Sequence, residues 1–126
     1  MRKNFGAKPM VYPMPVYIIA TYGEDGTPDA MNAAWGGIYE SNQIMVCLSH
    51  GHKTTKNIKF SKAFTVSIAD AKHVVEADYV GVVSGNKEPN KIEKIIANCD
   101  NKESLQKELN HEYVGTEHLV LAILDV

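Results

Sequence analysis

The apolar residues of this chain change their spacing once, near Asn90, and that change limits the folds open to it. Before it, short β-branched and aromatic runs alternate with clusters of Gly, Asp, Thr and Pro, the pattern of strands joined by tight loops. "PVYIIATY" (15–22) is such a run, and "GEDGTPDA" (23–30) behind it carries the Asp-Gly and Thr-Pro signals of a hairpin loop that leads into a second strand. "QIMVCLSH" (43–50) and "AFTVSIAD" (63–70) are two more, the latter with Phe64, Val66 and Ile68 on one face. Between them "TTKNIKFSK" (54–62) predicts a short helix with Thr54 or a neighbour near its N-cap. "KHVVEADYVGVVSGNKEPN" (72–90) predicts another helical turn, a glycine-punctuated loop and a proline stop.

After Asn90 the spacing is helical. Ile92, Ile95 and Ile96 recur at three and four residues, "NKESLQKEL" (101–109) begins again with an asparagine cap and Glu103, and "GTEHLVLAILDV" (115–126) runs behind a Thr116 cap. Strands followed by helices predict an α+β fold, with a first part over residues 1–90 and a helical part over 91–126. A chain of 126 residues buries a modest core. Thirteen basic against fifteen acidic side chains, with no polybasic run, disfavour nucleic acid and acidic membranes as partners. No apolar stretch approaches the roughly eighteen residues of a membrane span. Two cysteines without a CxxC spacing, and an N-terminus unlike a signal peptide, lead us to expect a reduced, cytoplasmic setting.

The chemistry concentrates in "LSHGHKTTKNI" (48–58), where a strand end feeds a helix start. Three readings compete. Cys47, His50 and His52 offer metal-ligating atoms, but no neighbouring carboxylate or second cysteine completes a tetrahedral set. A solvated polar turn is the plain alternative. The third is an anion seat: a helix start presents unpaired N–H groups and the positive end of a dipole, and Lys53, Thr54, Thr55 and Asn57 add side-chain donors. The segment lacks the spacing of a nucleoside-triphosphate loop. "MNAAWGG" (31–37) offers small residues beside one indole, a shelf for a planar ring, although Trp35 suits a core equally and Gly36-Gly37 a bulge. A phosphate seat next to a ring shelf suggests flavin mononucleotide (FMN).

"YPMPVYIIATYGEDGTPDAMNAAWGGIYE", "LSHGHKTTKNI", "AFTVSIADAKHV" and "DYVGVVSGNK", in this order, resemble consecutive blocks of the flavin reductase-like, FMN-binding split-barrel family that includes flavoredoxins. The resemblance runs from Met1 to about Lys91. It implies a Greek-key split barrel, a homodimer, and hydride or electron transfer between NAD(P)H, bound FMN and an acceptor. It further implies that Asn32, Ala33, Ala34 and Trp35 border the isoalloxazine, and that Ser49, Lys53, Thr54 and Asn57 hold the ribityl phosphate. Tyr79 and the loop of Ser84, Gly85 and Lys87 would approach the flavin or the partner subunit. No catalytic acid or base is implied, since the redox step belongs to the cofactor.

Family members continue past the equivalent of Lys91 with strands that complete the barrel. Here "HEYVGTEHLVLAIL" (111–124) instead resembles the start of the helical N-terminal repeat of Clp-type chaperone ATPases, without any Walker motif. This leads us to expect a partial split barrel followed by a helical segment able to dock a protein partner, the rival function being a non-enzymatic interaction module or an inactive fusion fragment. Three charge-assisted phosphate contacts contribute about 5–9 kcal/mol, while association costs about 4–15 kcal/mol. Ring burial must therefore supply the remainder. An unfinished barrel also leaves strand edges that invite a second copy.

Overall fold

The computed structural model describes residues 1–97, which form five strands and three α-helices. Strand β1 (Tyr17–Tyr22) lies at the centre of a three-stranded antiparallel sheet, between β2 (Pro28–Ala33) and β5 (Thr65–Ser67). The hairpin expected from residues 15–30 is present, with Tyr17 opposite Ala33 and Tyr22 opposite Pro28. Its loop closes through a Thr27 N–H donated to the Asp25 carboxylate, and through bonds between Gly23 and Thr27 and between Gly26 and Gly23. Central placement explains why "YIIATY" is apolar almost throughout, because both faces of β1 are covered. Tyr17 and Ile19 (0% exposed) pack with Ala33, Val46, Leu48, Ile58 and Val66 on one side, while Val16 and Ile18 meet Ala69 and Ala77 on the other. Full burial of Ile19 contributes about 1.5–3 kcal/mol.

A second sheet pairs β3 (Gly36–Glu40) with β4 (Gln43–Val46), with a register irregularity between Ile38 and Glu40. Gly36 has an intramolecular cause. A Cβ there would stand 2.5 Å from the Met45 carbonyl oxygen and 3.2 Å from the Tyr17 ring, so only glycine lets this hairpin seat against β1. The outer positions Ile38, Tyr39, Ile44 and Met45 are exposed. Among the described residues the strands form two open antiparallel sheets, not a closed barrel, within the expected α+β class.

Two strands are shorter than their apolar runs. β4 stops at Val46, although the Cys47 N–H still bonds the Trp35 carbonyl. β5 covers only Thr65–Ser67, because Asp70 leaves the strand to cap a 3-10 turn (Ala71–His73) by accepting the His73 N–H. Helix α1 (Lys53–Ser61) is where the sequence predicts it, but its N-cap is His52, not Thr54. Helices α2 (Val74–Val82) and α3 (Lys91–Ala97) follow, with Ile95 packed on Val75 and Tyr79. The expected boundary at residue 90 thus falls immediately before a helix that touches both α2 and β2. The helices expected over 101–109 and 115–126, and the Clp-like stretch, lie outside the described residues. No helix among the described residues is long and apolar enough to cross a membrane.

Candidate functional site

β2, the Ala34-Trp35 link, the loop after β4, the start of α1, the end of α2 and the first residue of α3 border a cavity of about 400 Å³. That size lies in the range of small-molecule sites. Of the residues the sequence singled out, Asn32, Ala33, Ala34, Trp35, Ser49, Lys53, Thr54, Ser84 and Gly85 line it. Trp35 is 54% exposed, so the indole stands at the cavity wall and not in the core. Three others are placed elsewhere. Tyr79 is fully buried in the cluster with Val75, Asn57 is buried in α1 beside Gly23, and Lys87 is exposed on the loop. The loop's neighbouring Asn86 lines the cavity and donates to the Gly51 carbonyl at 3.1 Å, linking the two loops across it.

The start of α1 is electrostatically unusual. No side chain caps it, no acidic residue occupies its first turn, and its first residue is Lys53. A cation at the positive end of a helix is unfavourable, whereas an anion there is stabilised by about 0.3–1 kcal/mol or more. Thr54 lies inside the first turn of α1, and its hydroxyl donates to Asp29 Oδ2 at 2.6 Å. Lys53, Lys91 and Asp29 are the lysines and carboxylate that line the cavity, so an anion meets two cations against one carboxylate.

Asp29 and Lys91 escaped the sequence reading. The turn residues around it place Asp29 in the hairpin loop, yet β2 begins at Pro28 and the carboxylate is 2% exposed. Lys91, also 2% exposed, lies with its Nζ 3.7 Å from Asp29 Oδ1 and donates to the carbonyls of Val80 (3.3 Å) and Val83 (3.0 Å) at the end of α2. Burial pushes the Lys91 ammonium below the ordinary lysine range and Lys53 adds to this, while Asp29 opposes it. Gly85 packs against the Asp29 carboxylate so closely that any Cβ would collide with it. No local signal marks this pair, since its partners lie 62 positions apart, 29 against 91. A lysine opening a helix reads as a solvated residue.

At the apolar end, Asn32 Nδ2 donates to the Ala77 carbonyl at 3.0 Å and fixes α2 on β2. Its Oδ1 is buried without a hydrogen-bond partner among the described residues, an acceptor on a cavity-lining residue that a ligand N–H would satisfy. The arrangement accommodates a molecule with an anionic end near Lys53 and a flat, donor-bearing end near Asn32 and Trp35.

Comparisons with known proteins bear on the fold and the family. The chain is similar to the flavoredoxin of Desulfovibrio vulgaris (Miyazaki F), at 40% identity over 68% of this chain and 48% of that one, with a TM-score of 0.61. It is similar to the flavoredoxin from Methanosarcina acetivorans at 27% identity over 68% and 48% of the two chains, with a TM-score of 0.57. An FMN-binding domain of a flavin reductases-like enzyme from Shewanella baltica OS155 shares the fold, at 22% identity over 64% and 42% of the chains and a TM-score of 0.58. The chain spans about half the length of these solved structures. No curated protein matches it. The profile of the flavin reductase like domain matches residues 10–108, and the chain belongs to that family.

Proposed function

We propose that this chain binds FMN in the cavity and works as a flavoprotein of the flavin reductase or flavoredoxin type, moving hydride or electrons between NAD(P)H, the flavin and an acceptor, as a homodimer. The observation that carries the reading is the uncapped start of α1, with Lys53 at its first position and no acid in its first turn, opening onto a cavity. The residues present fit the cofactor. Lys53, the Ser49 hydroxyl and the free N–H groups of α1 suit a phosphate, the Asn32 Oδ1 suits a ring N–H, and Ala33, Ala34 and Trp35 suit the face and edge of the ring.

When bound, FMN supplies the two-electron redox chemistry. The protein's own residues bind and orient. Lys53 neutralises the anionic end, and Trp35 and Ala34 cover apolar surface. Asn32 fixes one edge while its amide remains on Ala77, which ties ring position to the packing of α2 on β2. Thr54 contributes its backbone N–H, because its hydroxyl is committed to Asp29.

Reconstitution tests the proposal. The full chain, mixed with excess FMN and desalted, is expected to keep a flavin absorption spectrum, and Lys53→Ala to weaken binding by about 10- to 100-fold, the value of one charge-assisted contact. A well-folded preparation that emerges colourless would sink the reading. Equal retention by Lys53→Ala would remove the phosphate role assigned to that lysine.

A further inference from the structure

We infer that Lys91 is a positioning residue that couples occupancy of the cavity to the docking of helix α3. The inference rests on the cavity's being the FMN site. Lys91 is the first residue of α3, yet it lines the cavity together with residues of β2, α1 and α2. Its ammonium bonds two carbonyls at the end of α2 and faces Asp29 of β2, whose other oxygen accepts the hydroxyl of Thr54 in the first turn of α1. One buried side chain thereby joins the end of α2, β2 and, through Asp29, the first turn of α1 to helix α3.

Most of the stability of a surface helix comes from packing of its apolar face, so the order of α3 depends on docking. Beyond Lys91, the described contacts of α3 include Ile95 on the Val75 and Tyr79 cluster and a partly exposed ion pair of Lys94 with Glu88 at 2.8 Å. The charged groups facing Lys91 are Asp29 from β2 and Lys53 from α1, with the Val80 and Val83 carbonyls from α2. Undocking α3 withdraws one of the two cavity lysines and leaves the Asp29 carboxylate without its counter-ion, in the region an anionic ligand would enter. An anion therefore binds the docked state more tightly than the undocked one. By linkage the same factor favours docking when the ligand is present.

The test is amide hydrogen exchange on the full chain with and without FMN, with binding followed separately by flavin fluorescence. Exchange across residues 91–97 is expected to slow by about tenfold at saturation, within the roughly 5- to 150-fold span of such couplings. The double variant Asp29→Asn/Lys91→Met, which orphans neither charge, is expected to bind FMN about tenfold more weakly and to show no slowing over 91–97. FMN that binds and protects α1 but leaves 91–97 unchanged overturns the coupling and spares the flavin reading. Full protection of α3 in the double variant overturns the role of Lys91. Absence of FMN binding overturns both.

Discussion

Replacing Lys91 with methionine keeps the volume of the side chain and removes its charge, leaving the Asp29 carboxylate 2% exposed with the Thr54 hydroxyl as donor. At the observed 3.7 Å, two unit charges attract by about 4 kcal/mol at an effective dielectric constant near 20. Removing one member of a buried pair costs about 3–5 kcal/mol, since the other is stranded. Asp29→Asn strands the ammonium instead, but that group keeps two carbonyl acceptors, so the loss belongs at the lower end of the range. Removing both charges together relieves the desolvation of each, and the double variant is expected within about 2 kcal/mol of the parent. Equilibrium urea unfolding measures all four proteins. With slopes of about 1–3 kcal/mol per molar, each single variant shifts its midpoint down by about 1–5 M, and the double variant recovers most of the shift. A double variant that loses the sum of the two singles would refute the reasoning, as would a Lys91→Met that costs less than about 1 kcal/mol.

Gly36→Ala places a methyl 2.5 Å from the Met45 carbonyl oxygen and 3.0 Å from Val46 Cγ1, and the expected loss of about 1–3 kcal/mol lowers the thermal midpoint; an unaltered midpoint argues against close seating of the hairpin. The Asp70 carboxyl is raised by burial but lowered more by the His73 N–H (2.8 Å) and ring (2.7 Å), so it lies below its ordinary 3.8. A depressed folded value means that this stabilisation is present above about pH 4 and is lost as the pH falls through the lower folded value. Asp70→Asn should therefore flatten the acid limb of the stability profile. Parallel acid losses in variant and parent would exclude the contribution.

The parts of the fold that show in the sequence are those set by near neighbours. β1 follows from a β-branched run bounded by turn residues, the hairpin from Asp-Gly behind it, and α1 from donors at the end of an apolar strand. The ends of β5 and α1 do not show, because Asp70 caps a 3-10 turn just beyond β5 and α1 starts one residue before Thr54, with His52 at its N-cap. The small residues from Asn32 to Trp35 and the donors Lys53 and Thr54 stand out as residue types, Ser49 only through the family resemblance, and the fold brings them to one cavity. Tyr79, which the resemblance sets toward the flavin or the partner subunit, is buried against Val75 with Ile95 packed on the same cluster, a placement no local pattern marks. The Asp29–Lys91 pair was invisible, being made by tertiary contact alone.

The backbone of Trp35 is fastened to the small sheet: it directly precedes β3, and its carbonyl accepts the Cys47 N–H at 2.7 Å. The opposite wall of the cavity belongs to the helices and to β2. The indole thus hangs from the small sheet and the ammonium groups from helices, and the close seating of Gly36 against Tyr17 is what holds the aromatic side of the cavity to the sheet that carries Asp29.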